Sequence, residues 1–162
     1  MAKQDKDMRA EEAILEDSAE PRVYELGFHL DPELPSEEVK KAYQTVKSRI
    51  EEKGAIVAEG EPQMVKLAYT ISRQETSGRR DFDSAYFAWI VYEALVNNHA
   101  EIISAAGADP HIIRFIDVLT TKDAARHAVE MRELAAKTPE RVGAPEEPAA
   151  AELDAALEHV VV

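Results

Sequence analysis

Residues 22–54 read RVYELGFHLDPELPSEEVKKAYQTVKSRIEEKG, and within them the spacing of apolar residues changes from every second position to every third or fourth. Between Arg22 and Leu30, alternation predicts a strand with one buried face, formed by Tyr24, Leu26, Phe28 and Leu30. Two prolines, in Asp31-Pro32 and Leu34-Pro35, then end the strand because proline donates no hydrogen bond.

A helix is predicted directly after these prolines. Ser36 is expected to cap its N-terminus, and Glu37 and Glu38 lie in the first turn, where the helix dipole favours acids. Gly54 is expected to end the helix. Apolar residues at three- and four-residue spacing predict one buried stripe, which consists of Val39, Ala42, Tyr43, Val46 and Ile50.

Two further strands are predicted next. The second begins at Ala55 and continues to Ile71, and Pro62 within it indicates an edge position or a bulge. Residues 72–83 are polar and predict a loop containing Gly78. Residues 84–94 predict a third strand, whose aromatic side chains (Tyr86, Phe87, Trp89 and Tyr92) are interpreted as core packing and not as a base-stacking platform.

The remaining elements are a helix, a strand and a second helix. The first helix is predicted over residues 95–106, with Asn97 or Asn98 as its cap and an inner face of Val96, Ala100, Ile103 and Ala106. The fourth strand is predicted over residues 112–119, and its inner face stays open because Arg114 and Asp117 fall on opposite sides. Thr121 is expected to cap an alanine-rich helix that runs to about Lys137.

This order, β-α-β-β-α-β, predicts an α+β fold of the ferredoxin-like type, a four-stranded antiparallel sheet with two helices on one face. We expect an acidic N-terminal extension over residues 1–21, which includes a marginal helix over residues 8–15, and the ferredoxin-like domain over residues 22–121. Residues 122–162 are expected to be helical and then a flexible acidic tail. The sheet face without helices is where a binding function is expected.

Composition narrows the class of protein. The 162 residues are 45% hydrophobic, which suits one domain with a core, and the absence of cysteine excludes disulfides and thiolate zinc sites. A net charge of −13 argues against a nucleic-acid partner. More than half of that charge lies in residues 1–21 and 122–162, however, so the central part can still carry a basic surface. Apolar runs are far too short for a membrane span, and a cytoplasmic location is expected.

Three short motifs, in order and on the predicted strands, resemble the bacterial ribosomal protein S6 family. Residues 22–25 (RVYE) resemble that family's Arg-x-Tyr-Glu, and residues 66–71 (KLAYTI) resemble its Arg/Gln-Leu-Ala-Tyr-Pro-Ile. Residues 112–118 (IIRFIDV) resemble its last strand, and the resemblance covers roughly Arg22 to Thr121. The chain departs from the family at Thr70, where proline is usual, at Val65, where a basic residue is common, and in a longer polar loop over residues 72–83.

The resemblance implies a structural constituent of the small ribosomal subunit, which binds small-subunit rRNA together with ribosomal protein S18 and is not an enzyme. A basic partner would also account for the acidity of the chain. We expect phosphate contact from six basic residues, Arg22, Lys66, Arg73, Arg79, Arg80 and Arg114. The other interpretation of the loop arginines is a solvated loop, since Glu75, Asp81 and Asp83 nearly neutralise them.

Two other functions stay open from the residues. One is a ferredoxin-like regulator that binds a small molecule as a homodimer, and it needs an apolar pocket. The other is an acylphosphatase-type enzyme, but residues 30–35 carry no arginine for a phosphate loop. No catalytic residue, cofactor or metal site is predicted, because the histidines are scattered without ligand spacing (His29, His99, His111, His127 and His159).

Overall fold

Four strands and three helices form in the computed structural model, which describes residues 19–137. They are β1 (Arg22–Leu30), α1 (Ser36–Lys53), β2 (Gly54–Glu75), β3 (Gly78–Ala94), α2 (Val96–Ala108), β4 (Ile112–Thr120) and α3 (Lys122–Lys137). The described residues up to Val129 belong to one compact unit, and residues 130–137 belong to a second unit that begins at Glu130. The helix predicted over residues 8–15 and the tail predicted after residue 137 lie outside the described residues.

The sheet has the order β2-β3-β1-β4, and every neighbouring pair is antiparallel. This arrangement confirms the predicted ferredoxin-like fold. Pro62 lies in the edge strand β2, where the register shifts between Gly60 and Gln63, so both predictions from this proline are confirmed. Strand β1 lies inside the sheet, and its Leu26 is opposite Ile90 of β3.

The core lies between the sheet and helices α1 and α2. Every residue predicted for the inner face of β1 and for the stripe of α1 is buried, and Leu26, Phe28, Leu30 and Ile50 are fully buried. Strand β3 adds Ala88, Ile90 and Tyr92, so the inner face of this strand is now fixed. Because each large apolar side chain contributes about 1.5–3 kcal/mol when fully buried, this layer supplies the main stabilisation of the fold.

Both predicted N-caps of the core helices are wrong. Ser36 is the first helical residue and makes no cap bond, and the carbonyl oxygen of Pro35 instead accepts the first helical hydrogen bonds. Helix α2 is preceded by Leu95, and the side chain of Asn98 donates at 2.8 Å to the carbonyl oxygen of Lys53 at the end of α1. The cap predicted at Thr121 is confirmed by its Oγ1 atom, which accepts a hydrogen bond from the backbone of Ala124.

The predicted inner face of α2 is partly wrong. Ile102 and Ala106 are buried, Ile103 is partly buried against the core, and Ala100 is exposed. The helix also continues through Gly107 to Ala108. In a helix of 13 residues with many alanines, the apolar residues fit more than one stripe, and only packing against the sheet selects one.

The polar loop predicted over residues 72–83 is wrong, because these residues extend β2 and β3 as a hairpin. Ser72 is opposite Asp81 and Arg73 is opposite Arg80, and the turn follows Glu75. Gly78 has a φ of 123°, which only glycine adopts readily, and it begins β3 directly after the turn. The sequence concealed this hairpin because both of its faces are largely polar, which removes the apolar alternation that identifies a strand.

A polar chain crosses the inner layer between β3, α2 and β4. The Tyr92 hydroxyl lies 2.9 Å from Nδ1 of His99, and Nε2 of His99 lies 2.9 Å from the Asp117 carboxylate. The His99 ring also stacks on Tyr24, with ring centroids 3.5 Å apart. Burial raises the pKa of the Asp117 carboxyl, although His99 partly opposes that shift, and Oδ1 of Asp117 has no hydrogen-bond partner among residues 19–137.

We predict that Leu26→Ala lowers the free energy of unfolding by about 2–5 kcal/mol, because it leaves a cavity at the centre of the core. Leu119→Ala is the matched control, since 60% of the Leu119 side chain is exposed, and it should cost less than about 0.5 kcal/mol. Urea unfolding followed by circular dichroism measures both changes. Equal losses would contradict the assignment of Leu26 to the core.

We predict that Asp117→Asn raises the free energy of unfolding at pH 7. The folded-state pKa of Asp117 lies above the unfolded one, so its carboxyl contributes stability while protonated and loses that contribution as pH rises through the folded-state pKa. The gain should therefore shrink below about pH 4, the unfolded pKa. Asp123→Asn, at a side chain that is 98% exposed, is the control and should change little at either pH. A gain that is independent of pH would refute this account.

Candidate nucleic-acid interface

The sheet face without helices, called the open face below, carries alternate residues of three strands. Cross-strand pairs fix this set, since Gly27 is opposite Trp89 in β3 and opposite Ile116 in β4. The open face also contains His29, Phe87, Arg114 and Val118. The sequence did not decide which face of β4 is the inner one. The pairing assigns Arg114 to the open face and Asp117 to the inner face.

A short segment of β2 reaches over the open face with its side chains. Lys66 is opposite Ser84 and Ile71 is opposite Phe82, so β2 advances five residues where β3 advances two. The four residues between Lys66 and Ile71 form the crossing segment, Leu67–Thr70. Its Tyr69 hydroxyl accepts a hydrogen bond from Arg114, whose guanidinium also lies 5.6 Å from the centre of the Tyr69 ring. Because β2 and β4 are opposite edges, this contact spans three strand spacings, about 14 Å.

A cavity of about 430 Å³ lies between the crossing segment and the open face. Its sheet side includes His29 and Phe87, whose rings are 5.4 Å apart and inclined by 47°. Lys66 and Arg114 also line it. Burial, and secondly the charge of Arg114, lower the pKa of His29, which favours its neutral form.

Arg80 of the hairpin is held by carboxylates and an aromatic ring. It makes two bonds to Asp31, at 2.9 and 3.2 Å, and further bonds to Glu33 at 2.5 Å and Glu75 at 3.1 Å. Its guanidinium lies 4.7 Å from the centre of the Phe82 ring. Arg80 thus fastens the hairpin to the loop between β1 and α1, and its charge is matched within the chain.

The other hairpin arginines also have intrachain partners. Arg73 donates to the carbonyl oxygens of Pro110 and Ile112, at 3.0 and 3.3 Å, and so fastens the hairpin to the start of β4. Arg79 is exposed, and it bonds to Asp81 at 3.2 Å and to Ser72 at 2.8 Å.

Within residues 19–137, neither Lys66 nor Arg114 has an acidic partner. Lys66 is exposed, and no carboxylate of the described chain lies within ion-pairing distance of it. Arg114 donates its side-chain hydrogen bond to the uncharged hydroxyl of Tyr69. Of the six residues predicted to contact phosphate, Lys66 and Arg114 thus lie together at one cavity. The other four lie elsewhere: three are the hairpin arginines, and Arg22 begins β1. RNA contact by all six stays a prediction.

Sequence reasoning missed Tyr69 as part of the site and missed the carboxylates that hold Arg80. Asp31 and Glu33 precede Arg80 by more than 45 residues, and no local spacing signals such a contact. Within residues 19–137, no cluster of three or more histidine and acidic side chains is arranged to hold a metal, and no helix is long and apolar enough to cross a membrane.

Comparisons with known proteins agree on one family. The model of the family described as Ribosomal protein S6 matches residues 23–118. The chain is 28% identical over 118 residues to small ribosomal subunit protein bS6 of Porphyromonas gingivalis, which covers 72% of this chain and 94% of that protein. The crystal structure of 30S ribosomal protein S6 from Thermotoga maritima has 25% identity and a TM-score of 0.52, with 73% of this chain and 99% of that chain covered.

Together with the fold, these similarities define a ribosomal protein built on a ferredoxin-like sheet. The family match runs from β1 into β4 and covers more than half of the chain. The chain belongs to the ribosomal protein S6 family, which confirms the resemblance found in the three sequence motifs.

We predict that Asp31→Asn lowers the unfolding midpoint at pH 7 by roughly 5 °C, because the amide is uncharged and keeps one acceptor oxygen where the carboxylate offers two to Arg80. Burial alone would raise the pKa of Asp31, but bonds from Arg80 and the backbone of Glu33, with nearby arginine charge, lower it. Its contribution is therefore present above the unfolded pKa and is lost as pH falls through the folded-state pKa.

Scanning calorimetry at pH 7 and pH 3 measures the unfolding midpoints. The difference in midpoint between the wild type and Asp31→Asn should be smaller at pH 3. Asp81→Asn is the matched control, because its pair with Arg79 is exposed, and it should shift the midpoint by less than about 2 °C. Similar shifts for the two variants would show that Arg80 does not fasten the hairpin.

Proposed function

We propose that this protein is a structural constituent of the small ribosomal subunit in the cytoplasm, where it binds small-subunit rRNA together with ribosomal protein S18. The observation that carries the proposal is the family match over residues 23–118, which spans the whole four-stranded sheet apart from its end residues. Relatives named as small-subunit proteins in two bacteria support the same role. The proposed role is architectural, without catalysis.

Charge on the open face supports RNA contact. Lys66 and Arg114 line one cavity and lack carboxylate partners in the described chain, so phosphate groups can bind them without displacing an existing ion pair. Arg80 differs, because RNA would have to compete there with Asp31 and Glu75. We therefore expect the main phosphate contacts at the cavity, with Arg79 as the most accessible of the hairpin arginines.

The acidity of the chain supports a basic protein partner. A net charge of −13 repels polyphosphate at long range, and it attracts a cationic protein. A complex with such a partner has a lower net charge and can approach RNA, so binding to rRNA is expected to be stronger with S18 than without it.

We predict that Lys66→Ala and Arg114→Ala each weaken binding to a small-subunit rRNA fragment several-fold in the presence of S18. Each change should also lower the slope of log affinity against log salt by about one, as expected for one lost phosphate contact. Lys40→Ala is the matched control, because Lys40 is exposed on α1, the helix that packs on the other side of the sheet. Filter binding between 50 and 300 mM salt measures these values.

An unchanged salt slope in both cavity variants would remove Lys66 and Arg114 from the RNA contact. The broader role has its own test, which is co-sedimentation with small subunits at physiological salt. If the wild-type chain stays in the supernatant while the subunits pellet, the proposed function is wrong.

A further inference from the structure

We propose that the cavity under the crossing segment takes one unstacked nucleobase of single-stranded RNA, while Lys66 and Arg114 bind the phosphates on either side. This inference rests on the proposed function and adds to it a specific ligand and place. The two cations lie at a cavity whose other lining residues are mostly apolar or aromatic. A nucleotide has the same two parts, an aromatic base and an anionic phosphate.

The lining of the cavity suits a flat aromatic ligand. Phe87 and His29 offer ring surfaces from the sheet, and Ile116 adds an apolar side chain that is 64% exposed. The volume of about 430 Å³ lies within the range of small-ligand sites, roughly 300–1,000 Å³. Bases stack on aromatic rings in this manner when they are unpaired, so single-stranded RNA is the form that fits.

The charge of the lining favours an anion. None of the acidic residues between positions 19 and 137 lines this cavity, whereas the cations Lys66 and Arg114 do. The cavity therefore presents two cations on a protein that is acidic as a whole, and such cations attract phosphate. The cavity could instead receive an apolar side chain of a protein partner, but a basic partner would bring its cations towards two unneutralised ones.

Hydrogen-bonding groups at the cavity can contact the edge of a base. The pKa of His29 is lowered by burial and by Arg114, so near neutral pH its ring offers one donor and one acceptor. The Tyr69 hydroxyl, which accepts a bond from Arg114, keeps its own proton to donate. Both groups are neutral, so they can pair with a base without the cost of burying another charge.

The test compares two labelled RNA decamers that have the same number of phosphates. One has a mixed base sequence, and the other has abasic ribose at every position. Fluorescence anisotropy with the full chain should give about tenfold tighter binding of the decamer that carries bases, because stacking of a base adds to phosphate contact. Equal affinities, or no binding of either decamer up to millimolar concentration, would overturn the proposal.

Ala68→Trp tests the position of the site. Ala68 is exposed and lines the cavity, so a tryptophan there fills it without a change of charge. The matched control is Ala55→Trp, at an exposed position of the same strand that does not line the cavity. Ala68→Trp should abolish the preference for the base-bearing decamer, and Ala55→Trp should keep it within about twofold. A preference that survives Ala68→Trp would place the base elsewhere and refute the proposal.

A second variant covers the case in which Ala68→Trp does not fold. Phe87→Leu keeps the cavity apolar and removes an aromatic face, so it should reduce the preference several-fold and leave binding of the abasic decamer unchanged. If Phe87→Leu instead weakens capture of S18 and keeps the preference for bases, the cavity holds a protein side chain and the proposal is wrong.

Failure of this inference is distinguishable from failure of the proposed function. A wild-type chain that co-sediments with small subunits but shows no preference for bases refutes the cavity alone. A chain that does not co-sediment refutes the ribosomal role, whatever the decamers show.

Discussion

The burial of one side of β1 is the constraint on which the rest of this structure depends. Leu26, Phe28 and Leu30 are fully buried beneath the helices, while the backbone of the same strand pairs with β3 and β4. A shift of either pairing by one residue would turn this apolar row towards the open face. The register therefore fixes which side of the sheet packs against α1 and α2 and which side is left without helices.

The crossing segment covers part of the open face. The Tyr69 side chain of the crossing segment contacts Arg114 on the opposite edge strand, and a cavity lined mostly by apolar and aromatic residues lies beside it. The hairpin beyond this segment is fastened separately, by Arg80 to Asp31 and by Arg73 to the carbonyl oxygens of Pro110 and Ile112. The cations of the hairpin and those of the cavity therefore differ in their surroundings. Arg80 and Arg73 of the hairpin contact other groups of the chain, whereas Lys66 and Arg114 at the cavity have no carboxylate partner within residues 19–137.

This division reconciles an acidic chain with an RNA-rich surrounding. Net charge sets the electrostatic field far from the protein, and physiological salt largely screens that field beyond about 8 Å. Contact with a charged group depends instead on the local charge of the surface. Among the residues that the structure describes, two cations and no carboxylate line the cavity. Membership of the ribosomal protein S6 family and a local pair of cations are therefore compatible with a net charge of −13.

The sequence by itself determined the order of the elements, the buried rows of β1 and α1 and the family, because apolar period and short motifs are local properties of the chain. It did not determine the hairpin over residues 72–83, whose two polar faces hide their alternation, or the inner stripe of α2. Only the tertiary structure decided which arginines are matched. Arg80 meets Asp31 across 49 positions, and Tyr69 meets Arg114 across 45, and such contacts exist only once the strands have paired.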